Sequence, residues 1–211
     1  RASSGDFSLV HGFMSAGTMN PTGPEQFAFL IKYNDTGDTL WTSKYGVETR
    51  YYVPTQGVFT NDGGFALTGF TDHFQQASTN YDCQFLIKFK AEGQFEWVQK
   101  YIGNNERIFG ISLDQFENGN FVLGGSINPN GNGDFDRDHL VILTDLLGNE
   151  IWREQYGDVE GEGDPSVQFL SDGNILLVGP ISKITSPVAG HNFLTKINSE
   201  NGDVLWEYRF L

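Results

Sequence analysis

The 211-residue sequence predicts an all-β fold of the propeller class, and three observations carry that prediction. Trp41, Trp97, Trp152 and Trp206 recur every 54–56 residues. Each has a glycine four residues before it (Gly37, Gly93, Gly148, Gly202) and an aromatic ring four residues after it (Tyr45, Tyr101, Tyr156, Phe210). The segments between are short, rich in Phe, Ile, Leu, Val and Thr, and bounded by Asp-Gly, Asn-Gly or Thr-Gly turns, with no helical period. A strand unit of about 55 residues that repeats in this way is the signature of propeller blades, each a four-stranded sheet.

With the strands of a blade called A to D, each element can be placed in order. Blade one, about 1–46, has a B segment in "GDFSLVHGF" (5–13), a C segment "FLIKYN" from Phe29 and a D segment ending in Trp41, but no A strand. Blade two, about 47–102, reads "YYVPTQGVFT" (A), "GGFALTGF" (B, 63–70), "FLIKFK" (C, from Phe85) and "EGQFEW" (D). Blade three, about 103–157, reads "IFGISLDQF", "GNFVLGGS" (119–126), "LVILTD" from Leu140 and "LGNEIW". Blade four, about 158–211, reads "PSVQFL", "GNILLVGP" (173–180), "FLTKIN" from Phe193 and "NGDVLW". The result is a single propeller domain, either a closed four-bladed ring or part of a larger one. The tryptophan recurs because the gap between adjacent sheets recurs, and its indole N–H is expected to find a backbone carbonyl in the next blade.

Composition narrows function. Hydrophobic residues make up 38% of the chain and aromatic residues 14%, enough for a sizeable core. Thirteen basic against 27 acidic side chains give a net charge of −14, which argues against nucleic acid and anionic membrane surfaces as partners. No apolar run reaches the roughly 18–20 residues of a membrane helix, so membrane insertion is not expected. Cys83 is the only cysteine; with a carboxylate beside it, it reads as a small strand-edge residue rather than a nucleophile. The start "RASSGDF" reads as processed or truncated.

The run "DGGFALTGF", "FLIKYNDTGDTLW" and "SKYG" resembles the propeller repeats of secreted and cell-surface proteins of Bacteroidota. "FLTKINSENGDVLWEYRF" is similar to the tryptophan-docking repeat of PQQ-like propellers, although no position matches the cofactor residues of that group. The resemblance implies an extracellular or cell-surface location and a role in adhesion or scaffolding.

Alternating strands put the A–B and C–D turns at one end of each blade and the variable B–C and D–A loops at the other, where binding is expected. "NPNGNGDFDRD" sets Asn128, Asn130, Asn132, Asp134, Asp136 and Asp138 at alternate positions, and "DVEGEGD" does the same with Asp158, Glu160, Glu162 and Asp164. Oxygen-rich, glycine-rich loops of this kind are candidate Ca2+ ligands, or else solvated loops. Phe74, Tyr81 and Phe135 are candidate stacking platforms for glycans. His73, His139 and His191 read as surface-loop histidines. The A segments offer Gln56, Asp114 and Gln168 but no opposed acid and base, so no catalytic activity is expected. The expectation is a non-catalytic scaffold or adhesion module that binds protein partners or copies of itself. A lectin-like propeller, or a propeller hydrolase with its site at the axis, are the alternatives.

Overall fold

The computed structural model describes residues 2–8, 12–19, 26–46, 50–72, 75–76, 79–80, 82–103, 106–128, 137–157, 163–181 and 191–210. The chain divides into two compact units, residues 1–102 and 103–211. All regular structure among the described residues is β, and no helix is long and apolar enough to cross a membrane.

In the first unit, β1 (Ala2–Ser8), β2 (Gly12–Met19), β3 (Phe27–Tyr33) and β4 (Thr39–Tyr45) form one antiparallel sheet in chain order. Next come β5 (Tyr52–Phe59), β6 (Phe65–Thr71), β9 (Cys83–Phe89) and β10 (Phe95–Tyr101) as a second sheet. A two-residue hairpin, β7 (Gln75–Gln76) and β8 (Thr79–Asn80), is inserted in its B–C loop. In the second unit, β11 (Arg107–Gln115), β12 (Phe121–Asn128), β13 (Asp138–Thr144) and β14 (Glu150–Tyr156) form a sheet. β15 (Ser166–Phe169), β16 (Ile175–Ile181), β17 (His191–Ile197) and β18 (Val204–Phe210) form the last. Four sheets of four strands, each meandering A to D, are the four blades that the repeat predicts.

The structure corrects the expectation that blade one lacks strand A. β1 pairs with β2 from Ser8↔Gly12 to Ala2↔Gly17. "GDFSLVHGF" includes the end of A and the start of B; the true counterpart of Gly64-Phe65 is Gly12-Phe13, because Gly17↔Phe29 occupies the register of Gly69↔Phe85.

Each C–D turn closes through a glycine at positive φ, 76° to 87°, a conformation glycine adopts without a Cβ penalty. The sheets then pack face to face within each unit. In the first, Leu30, Tyr52, Phe65, Leu67, Phe85 and Ile87 are buried between blades one and two, with Trp41 and Tyr45 against them. Trp41 meets Phe65 edge-on at 5.2 Å, and a Cβ on Gly93 would lie 2.7 Å from the indole, so this turn must be glycine for the ring to dock. In the second, Val141, Val167, Leu177 and Phe193 form the inter-blade core with Trp152 and Tyr156. Trp152 Nε1 donates to the Ser199 carbonyl of the next blade at 2.9 Å, the partner the repeat calls for. Tyr156 donates its hydroxyl to the Gly202 carbonyl at 2.7 Å.

The inner strands of the second unit are clipped together. Ser112 Oγ donates to Pro165 O (3.0 Å) and accepts from Val167 N (3.1 Å), while Asp114 Oδ2 accepts from Phe169 N (2.8 Å). Asp114 is thereby a structural clip between β11 and β15.

Candidate active site

At the loop end of blade two, three strands finish side by side. Tyr52↔Thr71 is the last pair of β5 with β6, and Thr71↔Cys83 the last of β6 with β9. Tyr51, Asp72 and Asp82 each stand one residue beyond those pairs. The ladder therefore brings together side chains 21 and 31 residues apart in sequence. Tyr51 N donates to Asp72 Oδ1 at 3.0 Å and the Tyr51 hydroxyl donates to Asp82 Oδ1, so one residue links both carboxylates. Thr71 Oγ1 donates to Tyr51 O at 2.5 Å, fixing the backbone of that residue. Arg50 Nη1 lies 3.8 Å from Asp72 Oδ2, and both side chains remain about one-fifth exposed, at 20% and 21%. Asp82 is more enclosed, at 9%.

The corner is braced from below and from the side. The Tyr51 ring packs edge-on against Phe70 at 6.3 Å. Gln26, ahead of β3, donates its N–H to Arg50 O (3.3 Å) and accepts from Tyr52 N (2.9 Å), joining blade one to the segment that carries Arg50 and Tyr51. Cys83 beneath is buried. Burial pushes its thiol up to about 12, Asp82 and Asp72 add to the rise, and Lys100 opposes it. It is an inert packing residue, as expected from the sequence. Burial also lowers the Lys100 ammonium from its ordinary value.

The equivalent corner of blade three differs. Gly125↔Leu140 matches Gly69↔Phe85, which makes Asn128 and Arg137 the counterparts of Asp72 and Asp82. Arg137 lies over the Phe109 ring at 4.8 Å and 4.0 Å from Asp164, whose carboxylate accepts from Ser126 Oγ at 3.2 Å. Beside Ser126 in the ladder is His139, fully buried, which corrects its reading as a surface histidine. It wedges into blade four, 4.8 Å from Phe193, over Gly179, where a Cβ would come within 2.6 Å of Nε2. Neither ring nitrogen has a hydrogen-bond partner of good geometry. Burial pushes the imidazole down to about 4, with the Gly163 backbone pulling weakly the other way.

Of the residues singled out from sequence, Asn130, Asn132, Asp134, Asp136, Asp158, Glu160, Glu162, Phe74, Tyr81 and Phe135 lie outside the described residues. Asn128 and Asp138 end paired strands, opposite Arg107 and Ile127, and Asp164 faces Ser126 and Arg137. Among the described residues, no group of three or more His, Cys, Asp or Glu side chains is arranged to hold a metal ion. Sequence reasoning missed Asp72 and Asp82. The signal lay in "TDHFQQASTNYDC", where two acids flank a loop symmetrically between strands B and C.

No protein-family model and no curated protein sequence matches this chain. Among solved structures it is similar to a xylan beta-1,4-xylosidase from Bacillus halodurans C-125, with a TM-score of 0.53 and 12% identity, over 88% of this chain and 38% of that one. The fold is a β-propeller. The chain thus spans less than half the length of that structure. The likeness also corrects the expectation of a chain without catalytic activity. That expectation looked for an acid–base pair on the A strands, whereas the solved neighbour is an enzyme and the paired acids here stand at the loop end.

Proposed function

We propose that this chain is a glycoside hydrolase propeller acting on a xylan-like, β-linked polysaccharide or its oligosaccharides, with Asp72 and Asp82 as the catalytic pair. The observation that carries the reading is the convergence of two carboxylates on Tyr51 at one open corner. The likeness in fold to a xylosidase supports the substrate class.

Cleavage of a glycosidic bond needs one carboxyl that carries a proton and one that acts ionised. The pair is assigned to double displacement, in which one carboxylate attacks and the other carries the proton. Asp72, beside the Arg50 guanidinium, is assigned as the nucleophile. It attacks the anomeric carbon while Asp82 gives its proton to the departing oxygen. Water then replaces Asp72 at that carbon and returns a proton to Asp82, completing hydrolysis. Tyr51 positions both groups, and its ring with Phe70 gives the sugar an aromatic wall. A polymer of this size is met outside the cell, which agrees with an extracellular location.

The test is hydrolysis of an aryl β-xyloside and of xylo-oligosaccharides by the wild type, Asp72→Asn and Asp82→Asn, with thermal melts to show that all three fold. Turnover by the wild type and a loss of about 10²–10⁴-fold in each variant are expected. A wild type that cleaves none of these substrates, or variants as fast as the wild type, would overturn the assignment.

A further inference from the structure

We propose that Arg50 reads a carboxylate on the substrate, so that the preferred chain is a xylan whose cleaved xylosyl unit bears a uronic-acid branch. The inference rests on the hydrolase reading of the Tyr51 corner and names the substrate class that corner takes.

The place of Arg50 is set from both sides. Its carbonyl accepts from Gln26 N of blade one at 3.3 Å, and the next residue, Tyr51, donates its N–H to Asp72 at 3.0 Å. The side chain held at this point is only 20% exposed, yet among the described residues its guanidinium makes no hydrogen bond, and its ion pair there, Nη1 to Asp72 Oδ2, is 3.8 Å long. At that distance Asp72 balances the charge without taking a donor. Arginines that steady an acid elsewhere in the chain look different. Arg153, 30% exposed, donates Nε to Glu150 at 2.8 Å, and Arg209, 51% exposed, donates Nε to Glu207 at 2.7 Å. Arg50 gives up more water than either and recovers fewer hydrogen bonds, which is costly until a ligand accepts its donors.

Two features decide what that ligand is. A guanidinium presents parallel N–H donors whose spacing matches the two oxygens of a carboxylate. The nucleophile Asp72 is its neighbour, so the carboxylate it binds belongs to the sugar under attack or to a branch of it. Xylose has no carboxyl of its own, which leaves a uronosyl branch. The net charge of −14 disfavours dense polyanions, whereas a single branch carboxylate meets a cation beside the cleaved bond.

The experiment measures kcat/KM for the wild type, Arg50→Gln and Arg50→Lys on a xylo-oligosaccharide bearing a glucuronosyl branch and on the same compound with that carboxyl reduced to an alcohol. The wild type should prefer the acid by about tenfold or more, the effect of one charge-assisted hydrogen-bonded pair. Arg50→Gln should bring the ratio close to one, and Arg50→Lys, which keeps the charge beside Asp72 but not the fork, should restore only part of it. A role confined to folding or to the ionisation of Asp72 would lower both rates together and leave the ratio unchanged, which would overturn the proposal. A wild type that hydrolyses the aryl β-xyloside but cleaves the two branched compounds equally, or not at all, would overturn it too and leave the hydrolase reading standing. A wild type that cleaves none of the three would overturn both.

Discussion

Blades two and three share a backbone at the corner where strands A, B and C end, and they fill it with opposite chemistry. Blade two sets Tyr51, Asp72 and Asp82 there; blade three sets Arg107, Asn128 and Arg137. The first corner is acidic and partly open. The second is basic and also partly exposed, with Arg137 laid over Phe109 and His139 driven into the neighbouring blade. The ladder dictates where side chains stand, and the repeat leaves their identity free at this end. Function in a scaffold of this kind is therefore sought where equivalent positions differ, not where they agree.

The sharpest way to break the comparison is to write one corner onto the other. Asp72→Asn with Asp82→Arg gives blade two the residues of blade three at both positions. Hydrolysis of the aryl β-xyloside should fall by about 10²–10⁴-fold. The melting temperature should fall as well, because Asp82 is enclosed and accepts the Tyr51 hydroxyl, so the comparison is made at a temperature where a melt shows the variant folded.

Next in size are the positions where the blades agree. Trp152→Ala removes a half-buried ring and the bond to Ser199, and should cost about 3 kcal/mol in a denaturant titration. Trp206→Ala, at an exposed copy of the same position, should change the stability of the monomer by less than about 0.5 kcal/mol.

A third effect separates the blade-three corner from that of blade two. His139 stays neutral in the folded chain down to about pH 4, whereas the unfolded chain takes up that proton near pH 6.5. Its contribution is therefore constant above pH 6.5, and stability falls as the pH drops from 6.5 to 4, by about 3 kcal/mol in all. His139→Gln should flatten that part of the stability profile. At lower pH a smaller loss follows from Asp62. Burial opposes its ionisation, but the bonds from Lys88, Thr60 and Gly64 N outweigh that and hold it at about 2.

The smallest change is expected at Asp114, the acid of strand β11. Asp114→Asn keeps an oxygen for Phe169 N and should leave hydrolysis within about twofold and stability within about 1 kcal/mol, since a neutral acceptor replaces a charged one.

These contrasts also mark how far the sequence could be read. The tryptophan and glycine spacings identify the D strands and C–D turns, because both arise from an inter-blade gap that every repeat must fill. The frame of blade one was misplaced, since "GDFSLVHGF" contains two glycine-to-phenylalanine starts and only the pairing of Gly17 with Phe29 chooses between them. His139 was invisible as a core residue, because its burial depends on Gly179 in another blade. Asp72 and Asp82 were missed because their approach is a consequence of register across the long connection from β6 to β9. The sequence displays the two acids but not the Tyr51 that ties them.

The most direct measurement is covalent trapping with an activated 2-fluoro-xylosyl donor, followed by mass spectrometry of the intact chain and of its peptides. A single fluoroxylosyl adduct on the peptide containing Asp72, lost in Asp72→Asn, is the expected result. An adduct on a different carboxylate, or none under conditions where the wild type turns over substrate, would contradict the assignment of this corner as the nucleophilic site.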